Sequence, residues 1–200
     1  MAIDAGAWAL GLVSAMPSGP GPISDELIAS ISTEVGQQAE TFLLTCRQDA
    51  ASIIEQFLAC RTSTLQLVDA VPIPELKKIK TRLPDVRIVQ VIHVSSESAI
   101  DQAIAVAPQV DMLLLDSGNP DLSIKELGGT GRTHNWHYSA EIVRQVPVPV
   151  FLAGGLNPHN VTQAIAQVRP YGVDLCSGIR THGALDAGKL AQFVAAVGRK

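Results

Sequence analysis

Val148-Pro149-Val150-Phe151-Leu152-Ala153-Gly154-Gly155-Leu156-Asn157-Pro158 runs apolar, breaks at two glycines and passes directly into a segment of helical spacing. An aliphatic run of this length bounded by glycine reads as a buried strand, and Pro158 falls near the first turn of the helix that follows. Glycines at such a junction let the backbone approach a ligand closely, and the free amides at a helix start favour an anion. The same pair reads equally well as a tight strand-to-helix turn. Ser177-Gly178-Ile179 repeats the arrangement at the end of the last apolar run. Two neighbouring strands ending this way match the phosphate site that a (β/α) barrel builds from the loops after its seventh and eighth strands. Gly154, Gly155, Ser177 and Gly178 are therefore the candidate phosphate ligands.

Working outward, β-branched and aliphatic runs recur at Ala7 to Ser14, Thr41 to Cys46, Thr64 to Val68, Arg87 to Val94, Val110 to Ser117, Val148 to Leu156 and Val173 to Ser177. Helical periodicity fills the segments between them, the signature of repeated βα units. Ser24 is placed to cap a helix that carries Asp25 and Glu26 in its first turn, where negative charge suits the dipole. Pro74 begins another, Glu97 to Val106 and Asn157 to Val168 read as helices, and Asp186 to Val197 closes the chain. Alternating strands and helices leave an open doubly wound sheet or a closed barrel. The glycines at the C-terminal ends of late strands favour the α/β TIM (β/α)8-type barrel, which gathers its binding loops there. About seven strands are readable where a complete barrel has eight. Met1 to Asp4 reads as the tail of a helix stopped at Gly6. No linker or composition break divides residues 1–200, which are expected to form one domain.

Hydrophobic residues make up 46% of the chain and charged ones 17%, a balance suited to strands covered on both faces. A domain of this size buries roughly 70% of the surface its unfolded chain exposes. The net charge of -4 comes with scattered rather than clustered Lys and Arg, which argues against nucleic acid or an anionic membrane as partner and for a small molecule. The apolar stretches are too short to span a bilayer and the N-terminus lacks a signal-peptide pattern, so a cytoplasmic location is expected. Cys46, Cys60 and Cys176 are far apart and show neither a disulfide framework nor metal-ligand spacing, so free thiols and no metal are expected.

Gly128-Gly129-Thr130-Gly131 lies in a long loop after Val110 to Ser117 and either folds over a ligand to exclude water or forms a solvated turn. Asp116 ends its strand above an apolar wall. There it is either a carboxyl whose pKa is raised enough for a general acid or the start of an Asx turn. Period-two alternation puts Asp174 and Cys176 on one face of the last strand, pointing into the barrel mouth. His93 is a weaker candidate for proton transfer and is expected rather to hydrogen-bond near the rim or on the surface.

Val110 to Ser117, Gly128-Gly129-Thr130-Gly131 with Trp136, Leu152-Ala153-Gly154-Gly155-Leu156-Asn157-Pro158-His159-Asn160-Val161, and Gly172-Val173-Asp174 with Ser177-Gly178-Ile179 resemble, in order and spacing, the phosphoribosylanthranilate isomerases. The likeness is close in the C-terminal half and looser over Ala5 to Val13 and Leu65-Gln66-Leu67. It implies a TIM barrel that carries out an Amadori rearrangement without a cofactor, in tryptophan biosynthesis. In that family a cysteine thiolate takes the sugar C2 proton and an aspartic acid protonates the ring oxygen. By the match Asp116 takes the acid role, Gly154, Gly155, Ser177 and Gly178 hold the phosphate, Gly129, Thr130 and Gly131 cover the substrate, and Asp174 approaches it.

Three departures accompany the match. The family's Lys-Ile-Cys-Gly first strand, which carries the base cysteine, is not found, because Met1 falls where the following helix should be ending. The family's Ser-Pro-Arg type segment reads Pro17-Ser18-Gly19-Pro20-Gly21-Pro22-Ile23-Ser24, with Gly21 near the substrate-binding arginine position, and Val68 replaces the His that usually follows Gln-Leu. These departures leave two expectations, an isomerase whose first strand is missing from this reading of the chain, or a noncatalytic phosphosugar-binding paralogue. In a closed barrel the last strand lies beside the first, which makes Cys176 a substitute base candidate set against the inert packing role usual for cysteine. A barrel lacking one strand exposes two edges through which a second copy can associate.

Overall fold

The computed structural model describes residues 1–19 and 21–198; Pro20, within the Pro17 to Ser24 segment, lies outside the described residues. The order along the chain is β1 (Ala9–Val13), α1 (Asp25–Val35), β2 (Glu40–Thr45), α2 (Ala50–Cys60), β3 (Thr64–Leu67), α3 (Ile73–Arg82), β4 (Arg87–His93), α4 (Ser98–Val106), β5 (Met112–Asp116), α5 (Trp136–Gln145), β6 (Val150–Leu152), α6 (Val161–Val168), β7 (Gly172–Val173), the hairpin β8 (Arg180–Thr181) and β9 (Ala184–Leu185), and α7 (Ala187–Val197). The strands β1 to β7 are all parallel and pair in sequence order, each with the next. No pairing joins β7 back to β1 among the described residues, so the sheet is a barrel wall open along one seam.

Period-two side-chain alternation sorts the strand residues into two layers. Phe42, Val68, Val89, Val91, Met112, Leu114 and Phe151 face inward and pack together. Leu43, Leu65, Leu67, Ile88, Leu113, Leu115 and Leu152 face outward and meet Ile28, Ile53, Leu76, Ile79, Ile142 and Val161 of the surrounding helices. Both faces of the central strands are thus buried, which is why they read in sequence as mostly apolar runs, interrupted by the buried Gln66 and Gln90. Curling brings the ends of the sheet together: the Trp8 ring, just before β1, stacks on Phe151 of β6 with centroids 5.9 Å apart. Tyr171 meets the same Phe151 ring edge-on at 5.6 Å.

Caps fix the helices, at Ser24 and Asp186 where the sequence indicates and at Asp49 where it was not read. Ser24 accepts from the Leu27 amide at the head of α1, and Asp49 and Asp186 do the same for α2 and α7. The turn at Met1 to Asp4 is a single one, closed by Ala5 N donating to Met1 O at 3.0 Å and stopped at Gly6, whose φ is +94°. Two strands are shorter than their apolar runs. β6 starts after Pro149, which has no amide to donate, and ends before Gly154 and Gly155, whose φ of +80° and +62° leave extended geometry. β7 keeps only Gly172 and Val173, because its partner β6 ends at Leu152 and no strand among the described residues pairs with its other side. No helix among the described residues is long and apolar enough to cross a membrane.

Candidate active site

The loops after β5, β6 and β7 converge on one end of the barrel. After β6, Gly154 and Gly155 turn the chain with positive φ, a conformation that costs a non-glycine residue strain. Asn157 and Asn160 then lock the turn, since the Asn157 amide donates to Asn160 Oδ1 at 2.8 Å and both side-chain amides donate to the Gly155 carbonyl. The His159 amide is likewise taken by Asn157 Oδ1 at 2.9 Å. The helical hydrogen bonds therefore start at this turn while α6 proper begins at Val161, later than the Asn157 expected from sequence. Amides on the α6 side of the turn are occupied internally, which leaves its glycine side as the face able to donate to an anion.

Gly178 brings the second turn against the first. A Cβ there would overlap the carbonyl oxygen of Leu156 and lie 3.1 Å from the Asn157 Cα. A Cβ on Gly155 would strike the backbone of Arg132 and Thr133, and one on Gly131 would lie 3.7 Å from Ser177 Oγ. Gly155, Gly178 and Gly131 are thus gathered into one place; the first two are approached so closely that only glycine fits, and Gly131 has a φ of +70°, which strains any other residue. Ser177, Gly178 and Ile179 form one 3-10 turn rather than a strand end.

The third loop, residues 118–133, lies down over the mouth. Asn119 and Glu126 pair through both backbone hydrogen bonds, Ser117 Oγ lies 2.8 Å from Thr130 Oγ1, and Ser18 Oγ donates to the Lys125 carbonyl at 2.6 Å. Leu127 is buried and joins the inward-facing barrel cluster. The Lys125 ammonium reaches across to Asp69, after β3, at 2.5 Å.

Under this loop stand the ionisable groups. Asp116 ends β5 almost fully buried, accepts from the Ser117 amide at 2.7 Å through Oδ1, and packs Oδ2 against the bare Cα of Gly128. Burial pushes its carboxyl above the ordinary range, while the Ser117 amide and nearby His93 pull the other way. His93, its register partner on β4, is buried; its Nε2 donates to the Val68 carbonyl at 2.9 Å and its Nδ1 finds no partner among the described residues. Asp174 follows β7 on the seam side. It is exposed at the surface, and desolvation by the surrounding protein first and the Asp116 charge second raise its pKa to about 6.

Cys176 departs from expectation. The strand alternation meant to aim it beside Asp174 stops at Val173, and Cys176 adopts φ -131° and ψ -69°, outside extended geometry, with its side chain exposed. It is not a buried packing residue.

Sequence reading missed four members of this region. Lys125 and Asp69 meet only because the β5 loop crosses the mouth, a pairing with no local signature. Cys46, one residue beyond β2, donates to the Ala15 carbonyl at 3.3 Å, and burial raises its pKa. His134 is screened from water, held near pKa 4 by burial, with its Nε2 2.7 Å from Ser139 Oγ. A cavity of about 570 Å³ lies elsewhere, against α1 and α2. Its Asp25, Glu26 and Glu34 outnumber its single Arg61, so it suits an anion poorly.

Comparison with known proteins bears on this arrangement. The family model of N-(5'phosphoribosyl)anthranilate (PRA) isomerase matches residues 33–196. N-(5'-phosphoribosyl)anthranilate isomerase of Methanocella arvoryzae is 33% identical over 174 residues, 87% of this chain and 79% of that protein. Among solved structures, phosphoribosyl anthranilate isomerase from Thermotoga maritima superposes with a TM-score of 0.82 at 27% identity, covering 98% of this chain and 90% of that one. A phosphoribosyl anthranilate isomerase in complex with reduced 1-(o-carboxyphenylamino)-1-deoxyribulose 5-phosphate gives a TM-score of 0.79 at 25% identity with the same coverage. With the barrel wall, the paired glycine turns and the rim aspartates already in place, these matches show that the chain belongs to the phosphoribosylanthranilate isomerase family.

Proposed function

We infer that this protein isomerises N-(5'-phosphoribosyl)anthranilate in tryptophan biosynthesis, opening the ribose ring and moving a proton from C2 so that the aldose amine becomes a ketose amine. The observation that carries this reading is the family match across most of the chain, joined to a buried carboxyl beside two converged glycine turns. The phosphate is assigned to the amides of Gly154, Gly155, Ser177 and Gly178, where closely packed backbone donors and a helix start favour an anion. Gly129, Thr130 and Gly131 are assigned to cover the substrate from above.

Asp116 is assigned as the general acid. A carboxyl desolvated by burial keeps its proton nearer neutrality and can deliver it to the ring oxygen as the C1–O bond breaks. Asp174 faces the same mouth, and two carboxyls that oppose each other's ionisation favour a state with one protonated and one charged. Asp174 is accordingly assigned to bind the sugar in its charged form. The C2 proton must pass to a base on the seam side of the sugar, where Cys176 is one candidate.

The loop lies over the mouth with Leu127 packed on the inward-facing cluster, so it must lift before substrate enters. Once closed, it excludes water around the acid.

Turnover of phosphoribosylanthranilate, followed by loss of anthranilate-type fluorescence, tests the assignment. Asp116→Asn should lower kcat by about 10²- to 10⁴-fold. Absence of turnover in the unaltered protein, or a full rate in the variant, would reject it. The unpaired edges of β1 and β7 are the surfaces through which a second copy would associate, and a strictly monomeric particle in light scattering would argue against that assembly.

A further inference from the structure

We propose that Lys125 is the cation that receives the carboxylate at the aromatic end of the substrate. The proposal rests on the isomerase reading above, because it takes the ligand to carry a phosphate at one end and a benzoate carboxylate at the other.

Such a ligand spans the mouth. The glycine turns assigned to its phosphate follow β6 and β7, and β3 lies three strands away from β6 along the curled wall, on the far side. Lys125 springs from the β5 loop but is carried across to that far side. Ser18, in the segment after β1, donates to its carbonyl at 2.6 Å, and its ammonium sits 2.5 Å from Asp69 just beyond β3. Asp69 is itself fixed: its side chain is only 8% exposed and its Oδ1 accepts from the Ala70 amide at 2.9 Å. The lysine is therefore held by a buried anchor, yet its own side chain remains 41% exposed and reachable from the mouth.

An ammonium has three donors, and Asp69 engages one of them, which leaves capacity for a second carboxylate. Of the neighbouring cations, Arg132 is neutralised by the Glu126 carboxylate and Arg47 is turned toward the head of α2, where its Nη1 donates to the Ser52 carbonyl. Gly21, in the segment after β1, offers no side chain at all. Cys46 borders the same corner as a neutral thiol that neither competes for the ammonium nor adds repulsion to an arriving carboxylate.

The test compares two ligands by calorimetric titration. One is reduced 1-(o-carboxyphenylamino)-1-deoxyribulose 5-phosphate; the other is the same compound with hydrogen in place of the carboxylate. The unaltered protein should prefer the first by about tenfold or more, the scale of a charge-assisted contact. Lys125→Met should bind the two alike while keeping its affinity for the hydrogen compound, which also reports that the variant is folded. Lys125→Arg should restore part of the preference. A preference that persists in Lys125→Met, or equal loss of both ligands, overturns the proposal. Binding of neither ligand to the unaltered protein defeats the isomerase reading itself, and this proposal with it.

Discussion

Gly178 lies against the carbonyl of Leu156, so closely that any side chain at residue 178 would force the turn after β7 away from the turn after β6. The two turns are one unit, and their shared face rather than either alone is what an anion would meet. Displacing reacting groups by about an ångström can cost on the order of 100-fold. Gly178→Ala and Gly155→Ala should each raise KM for phosphoribosylanthranilate by about 10- to 100-fold, with a smaller effect on kcat. Steady-state kinetics decide this; a KM unchanged in both variants would remove the phosphate from this place.

Leu127 ties the covering loop to the barrel interior. Leu127→Ala should leave the global unfolding transition nearly intact but speed cleavage within residues 118–131 by a protease, because the loop loses its apolar anchor. Leu113→Ala, at a fully buried wall position, should instead cost about 2–5 kcal/mol in denaturant unfolding. Equal sensitivity of both variants to global unfolding would show that the loop belongs to the cooperative core.

His134 is kept neutral by burial, with a pKa of about 4 against 6.5 for the free side chain. A depressed histidine favours folding fully above the unfolded value, and this contribution is lost as pH falls from about 6.5 toward 4, where the unfolded chain binds a proton that the native state refuses. His134→Gln should flatten the decline of thermal midpoint over that interval. An identical pH profile for the variant would place His134 in water.

Asp174 acts with the opposite sign. Its folded pKa of about 6 exceeds the ordinary 3.8, so its ionisation opposes folding. The penalty is absent below about pH 4, grows as pH rises through 6, and is complete above it. Asp174→Asn should therefore gain relative stability at pH 7 over pH 4.5 when compared with the unaltered protein, and lose sugar binding. A variant whose stability difference does not change with pH would mean that the carboxyl ionises freely.

The wall of the barrel was legible because burial on both faces imposes a nearly continuous apolar run, as in Met112 to Leu115. The glycine turns were legible too, since positive φ at Gly154 and Gly155 requires that residue type. Strand ends were not. Val173 to Ser177 carries strand-like residues, but pairing stops at Val173 for want of neighbours, and the aim of Cys176 changed with it. The hairpin of β8 and β9, turning at His182 and Gly183, pairs too few residues to leave a period in sequence. The Lys125 to Asp69 ion pair, 56 positions apart, depends on which loops share a rim, which is a property of the curled wall alone.

Trp8 stacked on Phe151 gives the seam an optical reading. Ring stacking tolerates sliding that a ladder of hydrogen bonds does not, so a small displacement of Trp8 against β6 need break no backbone pairing. Indole emission follows such drift directly, and with Trp136 changed to phenylalanine the remaining signal would measure the width of that slit while the rest of the fold stays intact.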